Sequence, residues 1–137
     1  MKPPSDAKIL LRYEEPINVQ EVSKGFDVEI DLWEIDGHLR LGHDFAQYEI
    51  SLDFLIRNKD NLWIHCKNLD ALYFCQETTF NYFWHEEDTV TLTSMGVLWV
   101  YPGKQPIKGS IAVMPEIHND DVSICLGICS DYIERYK

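Results

Sequence analysis

Glu29 and Asp31 are two carboxylates placed two residues apart in the run FDVEIDLW, residues 26–33. Apolar and polar residues alternate through this run, which predicts a β-strand with one buried face. Side chains two positions apart on a strand point to the same side, so both carboxylates are within reach of one ion. Buried negative charge needs a cationic partner, and oxygen ligands suit Mg²⁺ or Ca²⁺, with Mn²⁺ as a further candidate. A half-exposed strand with a solvated acidic face is the alternative interpretation.

Further chemically capable groups stand at the ends of later predicted strands. His65 and Lys67 share one face of the run LWIHCK, residues 62–67, and His85 with Glu86, Glu87 and Asp88 follows the aromatic run FNYFW. In a parallel barrel, groups at the carboxyl ends of strands converge on one mouth, where active sites are built. Each group alone also has a structural explanation, as a hydrogen-bonded histidine or a solvated acidic turn. Their convergence is what would make a site.

The segment after the Glu29/Asp31 strand is predicted to double back. Asp36-Gly37 lies between two β-prone runs, which is a strong hairpin signal. The returning strand delivers His43-Asp44 near the level of Glu29 and Asp31, so a histidine joins the carboxylates.

The remaining elements give a coarse picture of the fold. Strands are predicted at residues 8–12, 80–87, 96–103, 110–116 and 123–131, and helices at 16–24, 50–58 and 68–77. Helix and strand signals alternate in the first half, which is typical of parallel β/α units. The strands of the second half are joined by short connections.

Length and charge narrow the class of protein. A chain of 137 residues is expected to form a single domain. Its net charge of −11 would repel a phosphate backbone, so a nucleic acid partner is not expected. No apolar run reaches the ~20 residues of a membrane span and no signal peptide is evident, so we expect a cytoplasmic protein without a membrane partner. Its four cysteines lack zinc-site spacing and are expected to be reduced, buried thiols.

The stretch GFDVEIDLWEIDGHLRLGHD, residues 25–44, resembles the signature of glycerophosphodiester phosphodiesterases and their phospholipase C-like relatives. In that signature Glu-x-Asp, an Asp-Gly hairpin and His-Asp follow in the same order. Weaker similarity continues through LWIHCKN, YFWHEED, VLWVYPG and GICSDY, the last of which is similar to the family's final strand and aspartate. The resemblance therefore covers most of residues 25–137.

The resemblance implies an α/β fold, a TIM-type (β/α) barrel that cleaves a glycerophosphodiester or related small phosphodiester with a divalent metal. Because a complete barrel takes ~250 residues, this one would be compact or incomplete, with reduced outer helices. By position, Glu29 and Asp31 would be metal ligands, with His65 in place of a third carboxylate. His43 would be the general acid or base, and Lys67 would face the phosphate.

Two consequences follow from how this chain differs from the family. The family has His-Arg at the end of its first strand, where this chain has Leu11 and Arg12, so any activity is expected to be weak. The alternative is a catalytically degenerate barrel that serves as a binding or oligomeric structural module. A barrel this short leaves strands uncovered, which predicts a homo-oligomer. Other pocket candidates at strand ends are Arg12, His85, Glu87, Glu116 and Asp131.

Overall fold

Ten β-strands form one curled, mixed sheet in the computed structural model of the chain, which describes residues 2–13 and 26–136. The strands are β1 (Lys8–Tyr13), β2 (Asp27–Ile35), β3 (His38–Leu41), β4 (Tyr48–Glu49), β5 (Leu62–Cys66), β6 (Tyr82–Phe83), β7 (Val90–Leu92), β8 (Leu98–Val100), β9 (Ile111–Val113) and β10 (Gly127–Ser130). Two α-helices occur in the described residues, α1 (Leu52–Asn58) and α2 (Leu69–Gln76). The helix predicted at residues 16–24 lies outside them.

Strand β2 is the hub of the sheet. It pairs in parallel with β1 and β5 and antiparallel with β3. From β1 the sheet continues through parallel β10, β9 and β8, and from β5 it continues to parallel β6. Strands β4 and β7 add antiparallel edges. Seven strands are therefore parallel, and their carboxyl ends lie along the same edge of the sheet: β6, β5, β2, β1, β10, β9 and β8.

The predicted TIM-type barrel is wrong. That fold follows each of eight parallel strands with a helix, whereas here a mixed sheet of ten strands carries two α-helices of seven and eight residues among the described residues. Within residues 26–136, helix and strand alternate only around β5, which α1 precedes and α2 follows. Beyond α2 the strands are joined by loops and single 3-10 turns, because the intervening sequence is rich in Pro, Gly and Asp.

Both faces of β2 are buried through Leu32, although its alternating sequence predicts burial of the apolar face alone. Val28, Ile30 and Leu32 are fully buried in the cluster that packs against the two helices. The opposite face of the sheet curls over a second cluster that includes Trp63 and Trp99, whose ring centroids lie 5.8 Å apart. Burying each large aliphatic side chain stabilises the fold by about 1.5–3 kcal/mol. A slip of one residue would reverse both faces, so this burial fixes the register that aims the carboxylates inward.

Several local predictions are confirmed. Asp36 and Gly37 have φ values of 52° and 80°, as a two-residue hairpin between β2 and β3 requires. Helices α1 and α2 begin after Ser51 and Asn68, whose side-chain oxygens accept hydrogen bonds from the amides of the first turn. The short strands β4 and β7 were not predicted, because two or three residues give no periodic signal.

The four cysteines are free and buried, as predicted. No helix in the described part of the chain combines the length and apolar character needed to cross a bilayer. The two helices expose four large apolar or aromatic side chains, Leu52, Ile56, Leu69 and Tyr73. Such a surface is compatible with a homo-oligomer, which stays a prediction.

Candidate functional site

A cavity of about 280 Å³ lies at the carboxyl ends of the parallel strands. It is lined by Arg12, Glu29, Asp31, His43, His65, Lys67, His85, Glu86, Trp99, Tyr101 and Val113. Every residue that the sequence assigned to metal binding or catalysis lines it: Glu29, Asp31, His43, His65 and Lys67. The cavity therefore gathers these groups in one place although the surrounding fold is not the one expected.

Strand pairing explains how the side chains meet. In parallel strands, residues at the same level point to the same side of the sheet. Asp31 of β2 lies level with His65 of β5, and Glu29 lies level with Arg12 of β1. Pairing of β2 with its two parallel neighbours therefore places one histidine beside one carboxylate and one guanidinium beside the other.

Glu29, Asp31 and His65 form a compact cluster of potential metal ligands. One ligand atom from each lies within 4.8 Å of the others, and all three side chains are buried. His65 Nδ1 lies 3.1 Å from Asp31 Oδ1. Two ligands on opposite sides of a divalent ion lie about 4–5 Å apart, twice the usual bond length. The cluster therefore has the dimensions of a divalent-cation site, and its mixed oxygen and nitrogen donors also suit Mn²⁺.

The two carboxylates are electrostatically unequal. Burial, together with the neighbouring charge of Asp31, raises the pKa of Glu29 well above its usual value. Burial alone would also raise the pKa of Asp31, but hydrogen bonds with His65 and Glu29 outweigh it and the pKa of Asp31 is lowered. Without a cation, the folded protein therefore holds a proton on Glu29 more tightly than on Asp31. A metal ion would displace this proton, so its binding should strengthen as pH rises.

We expect Glu29→Gln to stabilise the metal-free protein at alkaline pH. Because the folded state holds the Glu29 proton more tightly than the unfolded state, stability falls as pH rises above the ordinary glutamate pKa. Glutamine keeps the shape and loses this penalty, so the gain over the parent should grow with pH and reach about 1 kcal/mol or more at pH 8. Urea unfolding in EDTA at pH 5 and pH 8 measures it.

The matched control for this variant is Glu87→Gln, which changes an exposed carboxylate. It should leave the pH dependence of unfolding unaltered. Equal stability of the parent and Glu29→Gln at both pH values would contradict the raised pKa of buried Glu29.

Two cationic side chains line the cavity together with the carboxylates. Lys67 follows β5, and its backbone amide donates a hydrogen bond of 2.8 Å to the carbonyl of Leu32, which fixes the end of β5 beside β2. The charges of Lys67 and Arg12 both act on Glu29. Arg12 Nε also lies 3.7 Å from Asp131 Oδ1. Asp131 thus supports Arg12 from outside the cavity, and an added metal ion would leave the cavity with excess positive charge for an anionic ligand.

His43 reaches the cavity from the loop after β3. The indole nitrogen of Trp33 donates a 2.7 Å hydrogen bond to the carbonyl of Gly42, and the amide of Gly42 donates to the carbonyl of Asp31 at 3.2 Å. His43 Nδ1 lies 3.0 Å from Asp44 Oδ1. Since a carboxylate can only accept, this contact places the proton of neutral His43 on Nδ1 and leaves Nε2 to accept another.

We expect Gly42→Ala to disrupt the loop that holds His43. A Cβ added at Gly42 would lie 1.9 Å from the carbonyl oxygen of Phe45, so the backbone has to move. The variant should lose about 1–3 kcal/mol of stability, measured by urea unfolding. Gly96→Ala is the control. A Cβ at Gly96 would meet nothing within 4 Å, but the φ of +83° disfavours alanine, so this variant measures backbone strain without a steric clash. Equal losses in both variants would argue against a tightly fitted loop at Gly42.

The cavity wall next to His65 carries His85 and Tyr101. His85 Nε2 lies 2.7 Å from Tyr101 Oη, and the His85 ring also packs against that of His65, with centroids 4.8 Å apart. Burial and the neighbouring His65 lower the pKa of His85, while burial and the charge of Glu29 raise the pKa of Tyr101. Both groups are therefore neutral at physiological pH. Sequence reasoning missed Tyr101, although its alternation with Trp99 at the end of a strand was a usable signal.

Three other predicted pocket residues lie elsewhere. Glu87 is exposed on the loop after β6, where its neighbour Glu86 lines the cavity instead. Glu116 accepts a short hydrogen bond from Ser130 and lines a separate cavity of about 200 Å³. Asp131 is exposed and reaches the site only through its ion pair with Arg12. Single acidic residues at strand ends were thus poor indicators of the cavity.

Comparison of the chain with protein-family models, curated proteins and solved structures gave no match. The case for a function therefore depends on the chemistry of the cavity.

Proposed function

We propose that this protein is a metal-dependent phosphodiesterase that binds a divalent cation at Glu29, Asp31 and His65 and hydrolyses a small phosphodiester. The observation that carries the proposal is the buried ligand cluster in the same cavity as Arg12 and Lys67. A carboxylate cluster alone favours a cation, and cationic side chains alone favour an anion. Their presence together in one cavity favours a metal ion with a phosphate ligand.

Each side chain has a distinct task in this reaction. A bound divalent ion would supply Lewis-acid stabilisation of the charge that develops on the phosphoryl oxygens. Lys67 and Arg12 bind and orient the same group by charge and hydrogen bonding. His43 Nε2 accepts a proton from the attacking water as the new phosphorus–oxygen bond forms and the ester bond to the alcohol breaks. The alkoxide that leaves takes up a proton from solvent and His43 returns its proton to solvent, so water is consumed and one alcohol and one phosphomonoester are released.

The volume of the cavity limits the ligand. About 280 Å³ accommodates a phosphoryl group and part of one alcohol, and it lies at the lower end of the range for small-molecule sites. A polymeric nucleic acid is disfavoured further by the net charge of −11. The substrate class that fits best is a small diester such as a glycerophosphodiester.

The missing histidine of the first strand has a structural explanation. Leu11 lies level with Val28, which belongs to the helix-covered face, whereas Arg12 lies level with Glu29. Position 11 therefore points away from the cavity, and a histidine introduced there would not reach the ligand. Of the three histidines that line the cavity, His65 belongs to the metal cluster and His85 contacts Tyr101, which leaves His43 as the proton acceptor. Turnover is therefore expected to be slow.

The proposal is tested by hydrolysis of a glycerophosphodiester and a chromogenic phosphodiester in Mg²⁺, Mn²⁺ and Ca²⁺, with EDTA as the blank. We expect slow turnover that requires the metal and disappears in Glu29→Gln/Asp31→Asn. Turnover in EDTA, or turnover that survives this double variant, would contradict the assigned metal site.

A binding module without turnover is the second candidate, and a specific observation favours it. The wall residue His85 has Nε2 in contact with Tyr101, so it is not free to act as a second proton acceptor. Such a module would bind metal and inorganic phosphate and release no alcohol from either ester. Calorimetry with phosphate beside the hydrolysis assay separates the two candidates.

A further inference from the structure

The two α-helices lie on the outer face of the sheet, away from the cavity. Their buried residues Leu55 and Ala71 belong to the same core cluster as Ile30 of β2, whereas Glu29 and Asp31 of β2 point to the inner face and line the cavity. A molecule that binds the outer surface of the helices would therefore leave the cavity open.

Each helix carries two exposed apolar or aromatic side chains four positions apart. Residues at this spacing share one face of a helix, so each pair forms a stripe. The four side chains are 45% to 66% exposed, which leaves most of their surface without a partner inside the chain. The stripes consist of Leu52 and Ile56 on α1 and of Leu69 and Tyr73 on α2.

A groove of about 380 Å³ runs beside the α1 stripe and reaches the end of α2. Leu52 and Ile56 line it together with Phe74 and Phe80, whose ring centroids lie 6.3 Å apart. An apolar lining of this size can receive large side chains from outside. The stripes and the groove thus form one apolar surface, here called the helical face.

Lys59 and Glu77 give this groove one charge of each sign. Lys59 follows the α1 stripe three residues after Ile56, and Glu77 follows the α2 stripe four residues after Tyr73. Neither forms an ion pair within residues 2–13 and 26–136, where Lys59 Nζ only approaches the hydroxyl of Thr79 at 3.4 Å. The helical face therefore offers an unpaired cation and an unpaired anion beside an apolar centre.

We propose that the helical face binds a second copy of this chain, with Lys59 of each copy paired to Glu77 of the partner subunit. In a two-fold dimer the same patch serves both copies, so a contact from one residue to another occurs twice. A patch that carries both partners of an ion pair around an apolar core is complementary to itself. The dimer goes beyond the proposed function and does not depend on it.

Charge favours a second copy over a different partner. Two chains of net charge −11 repel each other over most of their surface, so they can associate only where charges of both signs are present. A basic partner would instead be attracted to the acidic surface in general and would not select this mixed face. An apolar centre with a charged rim is also the usual anatomy of a specific interface.

Sedimentation equilibrium at micromolar concentration tests the dimer. We expect the parent to have twice the 16.0 kDa mass of the chain. Ile56→Asp should raise the dimer Kd about a hundredfold, because the dimer contains this change twice and each copy should cost about tenfold. Ile117→Asp is the matched control, since Ile117 is equally exposed but lies outside the helices, and it should keep the parental Kd.

Charge reversal tests the pairing of Lys59 with Glu77. Lys59→Glu and Glu77→Lys should each raise the Kd about tenfold or more, because like charges then face each other twice across the dimer. The double variant Lys59→Glu/Glu77→Lys exchanges the two charges and should return to within a few fold of the parental Kd. Circular dichroism and Tm values check that all variants are folded.

Three results would overturn the proposed dimer. These are a parent that sediments as a 16.0 kDa monomer, a dimer that survives Ile56→Asp, and a double variant that remains as weak as the single reversals. The metal response and the hydrolysis assay of Ile56→Asp judge the proposed function separately, since the helical face is remote from the cavity. Both should match the parent even where the dimer is lost.

Discussion

Millimolar Mg²⁺ or Mn²⁺ is expected to raise the Tm of the parent protein and to leave the Tm of Glu29→Gln/Asp31→Asn unchanged. An ion that binds only the folded state stabilises it by about 2.7 kcal/mol at a hundredfold excess over Kd. The double variant keeps the shape of both side chains and removes both negative charges, so its cluster no longer attracts a cation. Thermal unfolding with and without each metal measures the difference.

A matched double variant controls for the loss of two charges from an acidic protein. Asp60→Asn/Glu77→Gln changes two exposed carboxylates outside the cavity and should keep the full response to metal. An equal metal response in all three proteins would show that the ions bind elsewhere on the surface. An unchanged Tm of the parent in Mg²⁺, Mn²⁺ and Ca²⁺ would contradict metal binding and would assign the cluster a purely structural role as buried, hydrogen-bonded side chains.

His43→Ala is expected to lower kcat/KM for a phosphodiester by about 10² or more while leaving the fold and the metal response intact. His43 is half-exposed on a loop, so removing its ring costs little packing. Its contact with Asp44 fixes the tautomer that accepts a proton at Nε2. The decrease in kcat/KM should therefore come mainly from a lower kcat, which the metal-dependent assay measures.

His118→Ala is the control, because His118 is exposed and lies outside the cavity. It should retain parental turnover. Turnover of His43→Ala within a few fold of the parent would contradict the role of His43 in proton transfer. The same assay on Lys67→Met separates proton transfer from phosphate binding, since that variant should mainly raise KM.

Local order within residues 26–76 could be predicted from the sequence because short-range physics determines it. Strict alternation predicted β2, the Asp36-Gly37 pair predicted the hairpin, and the helix predicted at residues 68–77 matches α2. Each signal is contained within about ten residues. The same alternation placed Glu29 and Asp31 on one face, which is why the predicted ligands do lie together.

The fold class could not be predicted because it depends on how strands are connected and paired. The sequence between β8 and β10 supplies loops and 3-10 turns in place of covering helices, and two antiparallel edges extend the sheet. Motif similarity over twenty residues carried no information on these distant pairings. Carboxyl ends of parallel strands converge in either architecture, so the site could be anticipated although the barrel was wrong.

Contacts between distant segments account for what was missed at the site. Tyr101 belongs to the cavity only because β8 pairs with β9 and its hydroxyl meets His85 from the β6 segment. Glu116 was expected there and lies in another cavity, because its carboxylate is engaged by Ser130 at the end of β10. Residue type at a strand end was informative only where pairing turned that residue to the inner face.

Anomalous diffraction from crystals of the protein grown with Mn²⁺ tests the central claim most directly. The predicted result is one strong anomalous peak in the cavity, coordinated by a carboxylate oxygen of Glu29, a carboxylate oxygen of Asp31 and a ring nitrogen of His65. Manganese bonds of about 2.0–2.3 Å to all three would establish the site. A cavity without a peak, with Lys67 or Arg12 in direct ion pairs with both carboxylates, would contradict it.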